Sequence, residues 1–142
     1  MKNLKVKIKL FDDGKLPEYK RDGDVCLDCY AYTDAMILKN KRGLIPLGFA
    51  LELPEGWEAV LRPRSGNNKD GLDSCIGTID TNYRGELMAC VINNTDAEIL
   101  KINKDDRICQ LAIREVPKIE WEIVSELSET NRGENGFGSS GK

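Results

Sequence analysis

The sequence predicts an all-β domain, a barrel, sandwich or jelly roll, on three observations. Short alternating or apolar runs recur along most of the chain. Clusters of Gly, Pro, Asn and Asp separate them at the spacing of strand connections. Amphipathic helical windows longer than a turn or two are absent, as are internal repeats.

The first element is LKVKIKLF, where Leu4, Val6, Ile8 and Leu10 alternate with lysines, the period of a half-buried strand. VCLDCYAY follows the turn signal DDGK, and LIPLGFALEL follows KNKRG. WEAVLR comes after LPEG, and GELMACVIN after NNKDG and a further glycine-bracketed hairpin. AEILKI, RICQLAI and KIEWEIV complete the set, with NNTD and NKDD as turns. One domain is expected over residues 1–125, with residues 126–142 as a polar linker and a glycine-rich, flexible C-terminal arm.

Composition excludes several function classes. A chain of 142 residues can bury a core without disulfide staples. The net charge is −3 and no basic block is present, so there is no electrostatic footprint for nucleic acid. No run approaches a membrane span, and MKNLKVKIKLF alternates instead of forming a signal-peptide core, so a cytoplasmic location is expected. The sequence contains no histidine, which removes Ser-His or Cys-His nucleophile pairs and His-ligated metals. Catalysis would run on carboxylates, arginine, backbone groups and a hard cation. Five cysteines make an odd count and read as reduced thiols. Cys26 and Cys29 form a lone CxxC inside a strand pattern, read as small buried side chains.

Four segments are unusual for strand connectors. PRSG, residues 63–66, offers a cation, a hydroxyl and open backbone amides together, which suits an anion. GTIDTNYRGEL, residues 77–87, brackets Asp80 and Tyr83 between glycines. DDRICQL, residues 105–111, runs from a polar turn into a strand carrying Gln110. RGENGFGSSG, residues 132–141, encloses one aromatic in glycine, a segment costly to order unless a ligand contacts it. Each alone also reads as an ordinary turn, cap or tail.

Together, and in this order, they resemble the motifs of the trimeric deoxyuridine triphosphatases (dUTPases), here a phage or bacterial member. Gly23–Asp28 matches the first motif loosely, with Asp28 in the acidic position; Arg64-Ser65-Gly66 matches the second; Gly77–Gly85 the third; Asp106–Leu111 the fourth; Arg132–Gly141 the fifth. The resemblance implies a jelly-roll-like distorted β-barrel, a homotrimer with sites shared between subunits, and hydrolysis of dUTP to dUMP and pyrophosphate with Mg2+ on the triphosphate. It implies that Asp80 activates the attacking water, and that Asp28 supports the metal indirectly, through water. Ser65, Gly66 and Gln110 are matched to positions that contact the phosphates or order site water, Arg64 to either a phosphate or a scaffold role, Tyr83 to the deoxyribose, and Ser74, Thr78, Ile79 and Met88 to the uracil and 3′-hydroxyl surroundings. In the arm, Arg132 is matched to a terminal phosphate, Phe137 to the base, and Gly138, Ser139 and Ser140 to the closed nucleotide. The departures are Ser74, Asn82, Asn67-Asn68 and Asp105, each standing where the family commonly carries another residue.

Two other functions are weighed. A dCTP deaminase of the same fold would need a catalytic glutamate on the strand after the third motif, and Glu86 stands too early for it. A nucleotide-gated, protein-binding regulatory role would use extra loops, and NNKDGLDSC is the candidate surface.

Overall fold

Alternation becomes structure most directly at the N-terminus, where Lys7–Leu10 forms β1. The computed structural model describes residues 3–136. Ten further strands and one short helix follow: β2 (Leu27–Tyr30), β3 (Ala35–Leu38), β4 (Arg42–Pro46), β5 (Phe49–Glu52), β6 (Trp57–Arg62), α1 (Ser65–Lys69), β7 (Leu72–Ser74), β8 (Gly77–Ile79), β9 (Met88–Asn93), β10 (Ile99–Ile102) and β11 (Arg107–Glu115). The run LIPLGFALEL yields two strands because Gly48 breaks it with φ +76, a conformation open to glycine.

All pairings are antiparallel and most join distant strands: β1 with β5, β2 with β11, β3 with β10, β4 with β9. The last three pairs are nested, so the chain doubles into a ribbon and wraps around one core. That is a jelly-roll-like β fold, as predicted. β6 lies between β11 and β8 in a four-stranded sheet ordered β2-β11-β6-β8, and β7 adds to β9. The centre is filled by Leu47, Phe49, Leu61, Leu87, Val91, Ile102, Ile108 and Leu111.

Cys29 and Cys109 face each other across β2 and β11 and are buried, as the composition suggested. Their mutual hydrogen bond, then burial, pushes the Cys29 thiol well above its ordinary value. Cys26, Cys75 and Cys90 are half-buried, and all five thiols are free.

Two local features differ from expectation. KIEWEIV forms no strand: the last strand ends at Glu115, and Ile119, Trp121 and Ile123 stand in solvent, Ile123 at 97% exposure. Alternation specifies which face a strand would bury, and it does not supply the ladder partner that a strand requires. A concavity of about 580 Å³ is enclosed only by the consecutive residues Trp121–Leu127, of this stretch and just after it. Asp105 takes φ +72: the turn before β11 has a left-handed backbone, and Asp tolerates one better than most side chains.

Candidate functional site

The strand register brings three of the motifs together. Asp28 on β2 lies opposite Gln110 on β11, and Gln110 lies opposite Arg62 at the end of β6, three residues before Ser65. The result is a polar cleft of about 460 Å³ lined by Asp28, Arg64, Ser65, Gly66, Arg107 and Gln110, with Lys20, Arg21 and Asp24 at one side. Ser65 and Gly66 occupy the first turn of α1, where backbone N–H groups have no acceptor within the helix.

Asp28 is buried at the back of this cleft and gripped from two sides. Arg64 Nε donates to its Oδ1 at 3.0 Å, and Arg107 Nη1 donates to its Oδ2 at 3.2 Å. Asn67 Nδ2 donates to the Arg107 carbonyl at 2.8 Å, and Asn67 Oδ1 accepts from Arg64 Nη1 at 3.4 Å. Arg107 and Asn67 are thus site-building residues that the sequence reading did not single out. Arg107 lay inside the fourth motif, and Asn67 was noted only as a departure from the family's pattern; that departure was the available signal. Arg64 is directed at Asp28, a scaffold role.

A second cleft, about 240 Å³, is lined by Thr78, Ile79, Asp80, Tyr83, Glu86, Leu87 and Met88. Thr81 Oγ1 donates to the Trp57 carbonyl at 2.6 Å, anchoring the hairpin beside Asp80 to the start of β6. Tyr83 folds back so that its hydroxyl donates to the Glu86 carbonyl at 3.1 Å. Gly85 permits this, because any Cβ there would meet the Tyr83 ring. Asp80 is exposed. Glu86 Oε1 accepts from Gly48 N–H at 3.2 Å, a structural contact for the glutamate considered as a deaminase base.

The two clefts lie at opposite ends of β6. In the β6–β8 register Ile79 pairs with Ala59 and Gly77 with Leu61, so Asp80 comes level with Glu58 while Ser65 lies beyond Arg62. Four residues of strand separate Glu58 from Arg62, about 13 Å at ~3.3 Å per residue, and Ser65 lies three residues further along the chain. Within one chain, Asp80 therefore does not meet Ser65, Gly66, Gln110 or Asp28.

Ser74 joins neither cleft. It is buried in β7 opposite Val91, and among the described residues its hydroxyl has no hydrogen-bond partner. Arg132 is exposed, its Nε donating to the Asn135 carbonyl at 2.9 Å. Phe137, Gly138, Ser139 and Ser140 lie outside the described residues. NNKDGLDSC, the candidate regulatory surface, folds as most of α1 followed by β7. No helix among the described residues is long and apolar enough to cross a membrane.

The dUTPase family model matches residues 12–141. The chain is 41% identical over 146 residues to the deoxyuridine 5′-triphosphate nucleotidohydrolase of Clostridium tetani, covering 100% of both chains. It is 43% identical over 137 residues to the protein of the same name from Hydrogenobaculum, covering 94% of each. Among solved structures it is similar to the Staphylococcus bacteriophage 80alpha dUTPase G164S mutant with dUpNHpp, with TM-score 0.91, 25% identity, and coverage of 99% of this chain and 100% of that one.

Proposed function

This chain belongs to the dUTPase family, and from that premise we propose how its residues divide the work of hydrolysing dUTP to dUMP and pyrophosphate. The observation that carries the proposal is the separation of the two clefts along β6. A general base must stand within hydrogen-bond reach of the water it activates, and that water must reach the α-phosphorus. Asp80 cannot do this for phosphates held by Ser65, Gly66 and Gln110 of its own chain. The working site is therefore assembled from the hairpin cleft of one subunit and the polar cleft of another, in a homotrimer. Subunit contact also gives the exposed stretch around Trp121 and Ile123 a place to bury its apolar face.

In this reading uracil and deoxyribose enter the hairpin cleft. Tyr83 presents its ring to the sugar and leaves no space for a 2′-hydroxyl. Backbone groups around Thr78, Ile79 and Met88 pair with the base, and a wrong base leaves buried polar groups unpaired. Ser65, Gly66 and Gln110 hold the phosphates. Asp80 takes a proton from the water as its oxygen bonds to the α-phosphorus, and the bond to the bridging oxygen breaks to release pyrophosphate. Arg132 and Phe137, from the fifth motif, cover the phosphate and the base.

The donor set fits a Mg2+ carried by the nucleotide. Among the described residues no group of three His, Cys, Asp or Glu could hold a metal ion, and each oxygen of Asp28 already accepts from an arginine. Mg2+ characteristically keeps several waters and binds through substrate phosphates, so Asp28 would accept a hydrogen bond from one of those waters. When bound, the ion supplies neutralising charge to the departing pyrophosphate.

The test is pyrophosphate release from dUTP, dCTP, dTTP and UTP, with and without Mg2+. Strong preference for dUTP supports the reading, and ammonia release from dCTP overturns it.

A further inference from the structure

We propose that Arg21 is a binding residue for the terminal phosphate of the triphosphate, supplied by a loop that lies before the strand of the first motif. The inference rests on the assignment of the polar cleft to the phosphates. Four cations line that cleft: Lys20, Arg21, Arg64 and Arg107. Three are already committed to carboxylates. Arg64 and Arg107 both hold Asp28. Lys20 pairs with Glu18, whose carboxyl is held below its ordinary value by the Lys20 hydrogen bond and then by the Tyr30 hydroxyl. Lys20 also lies 5.5 Å from the centroid of the Tyr30 ring. Among the described residues, the Arg21 guanidinium alone of the four has no carboxylate partner.

The loop beneath Arg21 is built to keep it there. Asp24 accepts two backbone N–H groups, from Lys20 at 3.2 Å and from Arg21 at 2.9 Å. Asp24 N–H in turn donates to the Arg21 carbonyl at 3.2 Å, and Gly23 supplies the left-handed backbone, φ +87, that closes the turn. Asp24 thus uses its charge on the backbone and leaves the Arg21 side chain unpaired. An arginine with five donors and no carboxylate partner among the described residues, on a pinned turn lining an anion cleft, is suited to a bidentate phosphate contact. Arg21 lines the cleft from a loop outside the β2–β11 pairing that carries Asp28 and Gln110, and its contact is with the leaving pyrophosphate end, not with the attacked phosphorus.

Arg21 is exposed and lies outside every strand, so its replacement leaves the fold intact. Arg21→Ala is expected to raise KM for dUTP about tenfold and to weaken pyrophosphate product inhibition by a similar factor, the scale of one charge-assisted contact. kcat and the inhibition constant of dUMP should stay within twofold, and Arg21→Lys should recover part of the loss. Unchanged KM and pyrophosphate inhibition in Arg21→Ala overturn the proposal, as does an equal loss of dUMP affinity, which would move the contact to the α-phosphate. Calorimetric titration with tripolyphosphate separates this failure from failure of the cleft assignment. Wild-type protein that does not bind tripolyphosphate overturns the assignment itself. Binding that is equal in wild type and Arg21→Ala overturns only the role of Arg21.

Discussion

Replacing Asp28 by alanine is the most informative single perturbation of this molecule, because two arginines converge on one buried carboxylate. The Asp28 side chain is 11% exposed, that of Arg64 20% and that of Arg107 45%. Breaking a buried ion pair from one side costs roughly 3–5 kcal/mol, since the stranded partner charge remains desolvated. Arg64, 20% exposed, meets that condition only in part, so the low end of the range applies. Half-exposed Arg107 rehydrates and adds less than a surface pair's ~1 kcal/mol. A total of about 3 kcal/mol follows. With a melting entropy near 2.1 cal/mol/K per residue, a chain of 142 residues has ~0.3 kcal/mol/K, so the melting temperature should fall by about 10 °C. Asp28→Asn retains an acceptor and removes the charge, and should lose roughly half as much. Thermal unfolding followed by circular dichroism, without nucleotide and at matched protein concentration, measures both. Combining Asp28→Ala with Arg64→Met should be less damaging than the sum of the singles, because the stranded charge is then gone. A fall below 2 °C for Asp28→Ala would show that the two arginines rehydrate freely and that the carboxylate does not organise the cleft.

Asp80→Asn should bind dUTP with near-native affinity and lose at least ~100-fold in kcat, the usual scale for removing a general base; retained turnover would dismiss Asp80 from that role. Because the clefts lie at opposite ends of β6, mixing inactive Asp80→Asn subunits with inactive Gln110→Ala subunits, then unfolding and refolding them together, should restore a fraction of wild-type sites. No recovery in the pyrophosphate assay, with mixed oligomers shown to form, would mean that each site is built within one chain. Asp105→Gly should relieve the left-handed backbone at φ +72 while losing only an exposed contact to Lys15 at 3.3 Å. Gains near 1 kcal/mol in the folded state, less the entropy glycine adds to the unfolded chain, predict a net stabilisation of about 0.5 kcal/mol, read as a melting temperature some 2 °C higher.

Much of the fold was legible because β structure writes a short-range signature. Leu4 to Leu10 alternate whatever lies opposite them, whereas LIPLGFALEL read as one run and only the backbone at Gly48 divided it into two strands. β3, β7 and β8 were not singled out, since three or four residues carry too little pattern to distinguish a strand from its flanking loop. KIEWEIV erred the other way: its alternation was real, and among the described residues no strand pairs with it.

The sequence by itself determined the family and the inventory of reacting groups: no histidine, Asp80 and Tyr83 on a glycine-bracketed hairpin, and Arg-Ser-Gly and Gln110 in separate segments. Those depend on residue type and local spacing, which a linear chain states outright. Tertiary structure alone decided which of them share a cleft. The register of β8 on β6 sends Asp80 to one end of a strand and Ser65 to the other, the meeting of β2 and β11 locks Asp28 between two arginines, and Arg21 is left lining the cleft with no carboxylate partner among the described residues. Pairing between strands far apart in sequence is a cooperative outcome of the whole core's packing, and no local window contains it.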